Sequence, residues 1–170
     1  TFAHDLWQRA FNEVARDYRE IKINYQHVDA CCMRLITNPE WFDVIVTTNM
    51  FGDIITDIGA VLQGGMGVAA SANLNPDRSA PSMFEPVHGS APDIAGKGIA
   101  NPIAAILSIA MMLDHLGRQS SATRIRDAVA RVLAAGTPRT PDLGGRSSTI
   151  EVGQAVRHAL ASIAPGASPS

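Results

Sequence analysis

The run Val44-Ile45-Val46-Thr47, followed by Asn49-Met50-Phe51-Gly52-Asp53-Ile54-Ile55-Thr56-Asp57, decides the reading of the fold. Four β-branched residues in succession suit a pleated strand, and so short an apolar run suits one buried on both faces. Phe51–Leu62 then carries apolar residues at helical spacing until Gly64-Gly65 closes it. Upstream, Val28–Thr37 is helical in pattern and Asn38-Pro39 stops it. Ile21–Gln26 alternates apolar and polar residues, as a half-buried strand does. Phe2, Leu6, Trp7, Ala10, Phe11, Val14 and Tyr18 recur at helical spacing before it. This helix–strand–helix–strand–helix order predicts an α/β layered fold.

Downstream the character changes. From Gly64 to Asn101 glycine, proline and asparagine are dense, and only Met83-Phe84-Glu85 and its neighbours read as extended. A stretch this long without periodicity is functional or disordered, and its turn chemistry and low charge favour function. Three helical patterns follow: Pro102–Leu116, Ala122–Ala135 and Thr149–Ile163. Asn101 suits an N-cap, Pro102 the first helical position, and Gly117 the residue just past a helix end. Pro165–Ser170 reads as a frayed tail. Helical spacing from the first residues, with no initiator methionine, leads us to expect a further portion upstream.

Hydrophobic residues make up 46% of the 170 and charged residues 18%, which suits a packed core and argues against wholesale disorder. A net charge of −2 offers no footprint for nucleic acid or for an anionic membrane. Arg124, Arg126 and Arg131, interleaved with apolar residues, read as a solvated helix face. Adjacent cysteines, Cys31 and Cys32, make a poor structural disulfide and suggest reduced thiols in a reducing compartment. No basic-plus-apolar leader is visible, and the longest apolar run, Ile103 to Leu113, is short of the roughly 20 residues a span requires. We therefore expect a soluble, cytoplasmic protein.

Two constellations carry chemistry. Asp53 and Asp57 lie four apart on the helix that follows the Val44–Thr47 run, so both carboxylates share one face about a turn apart. Like charges at that spacing repel unless a cation lies between them, and hard oxygen donors suit Mg²⁺ or Mn²⁺. In the plainer alternative, one aspartate caps a helix and the other faces solvent. The second constellation runs Glu85-Pro86-Val87-His88-Gly89-Ser90-Ala91-Pro92-Asp93-Ile94-Ala95-Gly96-Lys97-Gly98-Ile99-Ala100-Asn101-Pro102. Its small residues would let a backbone approach a flat or phosphorylated ligand closely. Asp93 could accept from a ribose and repel a 2′-phosphate, thereby selecting NAD. An ordinary surface loop remains the alternative, since neither this run nor Gly64-Gly65-Met66-Gly67 forms a GxGxxG fingerprint.

NMFGDIITDIG (residues 49–59), FEPVHGSAPDIAGKGIANP (residues 84–102) and DLGG at Asp142–Gly145, taken in order, resemble the β-decarboxylating dehydrogenases. That family includes isocitrate, 3-isopropylmalate and tartrate/D-malate dehydrogenases. The resemblance implies an isopropylmalate dehydrogenase-like α/β fold, of which this chain is the C-terminal half of a two-domain enzyme. Residues 1–64 would be part of the dimer-forming, metal-binding domain, and residues 65–170 the C-terminal part of the NAD-binding domain. Asp53 and Asp57 match the metal-binding aspartates, and Asp29 matches the aspartate that a neighbouring subunit contributes to the same site in a homodimer. His88, Gly89, Ser90, Ala91 and Asp93 match the loop around the adenosine part of NAD. Asn101 matches the asparagine at adenine, and Glu85 the glutamate near the nicotinamide.

Within the family, Ala70-Ser71-Ala72-Asn73-Leu74-Asn75-Pro76-Asp77-Arg78 and Pro81-Ser82-Met83-Phe84 are similar to tartrate/D-malate enzymes, isopropylmalate enzymes tending to be shorter here. The expected reaction is NAD- and metal-dependent oxidation, with or without decarboxylation, of a small 2-hydroxy dicarboxylate such as tartrate or D-malate. The alternatives are 3-isopropylmalate as substrate, or a truncated, non-catalytic fragment. The family's proton-shuttling lysine, its acidic tyrosine and its substrate-clamping arginines would lie upstream. Neither Lys22 nor Lys97 stands in the lysine's place, so no catalytic residue is assigned to this chain and the chain alone is expected to be inactive.

Overall fold

The computed structural model describes residues 2–164, so the Pro165–Ser170 tail lies outside the described residues. The chain divides into two compact units, one up to Ile45 and the other from Val46 onward.

The first unit holds helix α1 (Phe2–Ala15), helix α2 (Val28–Thr37) and a 3₁₀ turn, Pro39–Trp41. An exposed Arg9–Asp5 pair one turn apart on α1, at 2.9 Å, contributes a few tenths of a kcal/mol at roughly the usual helix-pair value. α2 ends where the sequence predicts, with Asn38 capping onto the Arg34 carbonyl and the Arg34 guanidinium 4.1 Å over the Trp41 ring. Cys31 is buried on α2, and both cysteines are free thiols. Burial, reinforced by the neighbouring Cys32, pushes the Cys31 thiol up, so its reactive thiolate is suppressed.

Neither expected strand forms. Residues 21–26 and 44–47 belong to no strand, and Val44 is 83% exposed where burial on both faces was expected. A strand exists only where a neighbour accepts and donates its backbone hydrogen bonds, and among the described residues none lies beside either run.

The second unit begins with helix α3 (Asn49–Leu62), two residues earlier than its apolar pattern. Gly64 and Gly65 end it at φ +116° and +112°, conformations that L side chains rarely adopt, and Gly65 N–H donates to the Ala60 carbonyl. A 3₁₀ turn (Met66–Val68) leads into strand β1 (Ala70–Asn73), which pairs antiparallel with strand β2 (Met83–Pro86). The extended piece at Met83 is thus confirmed, whereas β1 was invisible in its Ala-Ser-Ala-Asn sequence.

Helices α4 (Ile103–His115), α5 (Gln119–Ala135) and α6 (Thr149–Ser162) complete the unit. α4 is apolar almost all round because it is covered on several sides, packing on the hairpin and on α5, while α5 packs on α6. Ala104, Ala110, Ala122 and Ala128 are fully buried, small enough to let these helices approach closely. Val68, Ile103, Val129, Val132, Val152, Val156 and Ile163 fill the remaining core. Each fully buried side chain of this size is worth about 1.5–3 kcal/mol over exposure.

Caps delimit these helices. Asn101 Oδ1 accepts from the Ile103 amide at 3.0 Å across Pro102, the arrangement its sequence predicts. Gly117, at φ +74°, donates to the Asp114 carbonyl while Arg118 donates to that of Leu113, a complete Schellman motif. Ser148 and Glu151 form a capping box on α6. The three arginines of α5 are more than a solvated face. Arg124 donates to the Leu160 and Ile163 carbonyls at the end of α6, Arg126 pairs with Asp114, and Arg131 reaches Ser162 at 3.5 Å. No helix among the described residues is long and apolar enough to cross a membrane.

Candidate functional site

The second unit contains a cavity of about 360 Å³ between α3 and the β1–β2 hairpin. Asp53 and Thr56 of α3 form one wall, and Ser71 of β1 with Glu85–Gly89 at the end of β2 forms the other. The antiparallel register places Ser71 opposite Glu85, and the Val87 amide extends the ladder to the Ala69 carbonyl at 3.0 Å. Adjacent pairing puts both side chains on one face of the hairpin, which is why they reach the cavity together.

Asp53 is exposed in the first turns of α3, and its Oδ2 accepts from Asn49 Nδ2 at 3.1 Å. Asp57, one turn on, is also exposed but does not line the cavity. Neither carboxylate meets a basic side chain among the described residues. Two unneutralised, solvent-accessible oxygen donors on one helix face fit a hard divalent cation that keeps part of its water shell. No group of three or more His, Cys, Asp or Glu side chains is gathered for a metal among the described residues. Asp29 lies in the other unit, exposed, with its Oδ1 accepting from the Ala30 amide at 2.8 Å.

The structure therefore brings Asp53, Glu85, His88 and Gly89 onto one cavity. Beyond it the chain runs through linked turns, Ile94 to Ala91, Ala95 to Pro92 and Lys97 to Ile94. Ser90, Ala91 and Asp93 are exposed along these turns, and Ala91 adopts φ +44°, rare for a residue with a Cβ. An exposed, small-residue backbone with a free carboxylate at Asp93 fits a nucleoside ligand.

Asn101 behaves differently. It is buried, its Oδ1 serves the Ile103 amide, and its Nδ2 donates to Asp142 Oδ2 at 2.9 Å. Both ends of the amide are occupied inside the protein. Gly67 packs directly against this pair, for a Cβ there would collide with the Asp142 carboxylate and lie 2.9 Å from Asn101 Cβ. Gly145, the last residue of DLGG, needs its missing Cβ because the Arg139 carbonyl occupies that space.

Sequence reasoning missed Thr56 and Ser71. Thr56 was in principle readable, three residues past Asp53 on the same helix face. Ser71 was not, since only hairpin register brings it to the cavity.

The chain belongs to the isocitrate/isopropylmalate dehydrogenase family, whose pattern it matches over residues 2–156. It is 55% identical over 155 residues to the 3-isopropylmalate dehydrogenase of Corynebacterium efficiens, covering 91% of this chain and 44% of that protein. The corresponding protein of Streptomyces coelicolor is 56% identical over 153 residues, covering 90% and 43%. Among solved structures, the isocitrate dehydrogenase of Methylococcus capsulatus superposes with a TM-score of 0.85 at 44% identity, covering 92% of this chain and 46% of that one. A β-decarboxylating dehydrogenase of Thermococcus kodakarensis, in apo form, gives 0.79 at 39% identity, covering 95% and 46%. The chain thus spans less than half the length of these relatives.

The tartrate/D-malate reading finds no support here, for these relatives bear other names. The stretch that suggested it is bonded to itself and to His115 at the end of α4. The Asn75 amide donates to Ser82 Oγ at 3.0 Å, Ser82 Oγ lies 3.3 Å from His115 Nε2, and Arg78 donates to the His115 carbonyl.

Proposed function

We propose that this chain provides the metal and dinucleotide side of a 3-isopropylmalate dehydrogenase, which oxidises and decarboxylates its 2-hydroxy dicarboxylate with NAD. The observation that carries the reading is the cavity that joins Asp53 to Glu85, His88 and Gly89, in a chain more than half identical to proteins named 3-isopropylmalate dehydrogenase.

In this reading Asp53 and Asp57 hold Mg²⁺ or Mn²⁺, and Asp29 completes the set across a homodimer. The cation, when bound, supplies Lewis-acid polarisation of the substrate's hydroxyl and adjacent carboxylate. His88, Gly89, Ser90 and Ala91 cradle the adenosine half of NAD, Asp93 accepts from its ribose, and Glu85 faces the nicotinamide end. Asn101 borders the adenine through its backbone, because its side-chain amide is already engaged. Residues 1–64 belong to the dimer-forming domain and residues 65–170 to the cofactor domain. Proton transfer and carboxylate clamping fall to residues outside this chain. The two free thiols agree with a cytoplasmic setting.

The test is NADH formation by the complete protein with 3-isopropylmalate, D-malate and tartrate in the presence of Mg²⁺. We expect a wide preference for 3-isopropylmalate; comparable or better turnover of D-malate or tartrate would overturn the assignment.

A further inference from the structure

The loop from His88 to Asn101 is held unequally along its length. Between residues 91 and 97 its backbone bonds are short-range turns. Its C-terminal end is instead fastened to a distant part of the chain by three hydrogen bonds. The Thr149 amide donates to the Gly98 carbonyl at 2.8 Å, Thr149 Oγ1 donates to the Ala100 carbonyl at 2.5 Å, and Asn101 Nδ2 donates to Asp142.

Thr149 opens α6, where the first amides have no intrahelical acceptor, so its N–H is available to the loop. α6 is a firm anchor, with Val152 and Val156 in the core and the Ser148–Glu151 box closing its first turn. Gly98, at φ +66°, sits where the chain has the most conformational freedom to lose. Fastening it beforehand removes ordering entropy that a ligand would otherwise have to overcome on binding.

We infer that Thr149 is a positioning residue for dinucleotide binding, its amide and hydroxyl setting the Gly98–Ala100 end of the loop so that the turns over residues 91–97 are preformed. This rests on the NAD reading of the loop given above. Thr149→Val deletes the hydroxyl donor at nearly constant shape, and Thr149→Ser restores it.

The experiment is calorimetric titration of the complete protein with NAD⁺, accompanied by melting temperature and by hydrogen exchange of residues 89–101. For Thr149→Val we expect the Kd for NAD⁺ to rise about two- to tenfold, the range one hydrogen bond allows, with faster exchange in the loop. Thr149→Ser should return both to the wild-type values. An unchanged Kd in a folded valine variant, or a serine variant as weak as valine, overturns the inference while leaving the NAD reading intact. Wild-type protein that binds no NAD⁺ overturns both. If the valine variant folds poorly, Thr149→Ala against Thr149→Ser gives the same comparison.

Discussion

Asn101 and Asp142, forty-one residues apart, are joined side chain to side chain at 2.9 Å, and Gly67 closes over the pair. This contact ties the end of the candidate cofactor loop to the DLGG turn. Asp142→Ala leaves the buried Asn101 amide without its acceptor and should destabilise the protein by about 1–3 kcal/mol. Urea unfolding would measure it, and an unchanged midpoint would refute the role of the contact.

Glycines separate into those the packing requires and those it tolerates. Gly145→Ala drives a methyl group into the Arg139 carbonyl, and should cost roughly 1–3 kcal/mol as overpacking. Gly153, inside α6, has no atom within 4 Å of an added Cβ, so Gly153→Ala should stabilise by about 0.5–1 kcal/mol. Thermal melts of the two variants should shift in opposite directions.

Glu151 accepts from the Ser148 amide and hydroxyl, and the backbone bond first, then the side-chain bond, holds its carboxyl below the usual range. A depressed folded-state value means the cap's stabilisation is complete above the unfolded carboxyl value of about 4.3. It is lost as pH falls through the lower, folded value. Glu151→Gln should therefore flatten the acid side of a stability-against-pH curve while changing its neutral end less. A wild-type-like acid slope in that variant would count against the capping box as the source.

Asp53→Asn and Asp57→Asn should each raise the Mg²⁺ concentration needed for half-maximal turnover in the complete protein. The rise should be at least about tenfold, since even an outer partner of a metal ligand is worth about 10–100-fold in affinity. Titration with Mg²⁺ reads the effect directly, and variants with an unshifted midpoint would remove these aspartates from the metal site.

Asp93→Lys exchanges a ribose acceptor for a cation that can meet a 2′-phosphate. The ratio of kcat/KM for NAD to that for NADP should fall, and a constant ratio would sink the ribose assignment.

Helices were legible because their information is local. Val28–Thr37 was recovered to the residue, and the cap at Asn101 and the stop at Gly117 needed only residue chemistry at adjoining positions. The same locality explains the candidate ligands, for Asp53 and the Glu85–Gly89 run were visible as motifs. Strands failed in both directions. Residues 21–26 and 44–47 have strand-like patterns and no partner, whereas Ala70–Asn73 has no strand-like pattern and does have one.

Helix content, several helix ends and the chemical character of the candidate metal and cofactor residues are legible in the local sequence, because periodicity, capping and motif spacing act over a few residues. The pairing of Ser71 with Glu85, the engagement of the Asn101 amide by Ile103 and Asp142, and the hold of Thr149 on Gly98 and Ala100 come from the folded chain alone. Each of these depends on which backbone or side chain arrives from a distant part of the chain, and no local pattern records that arrival.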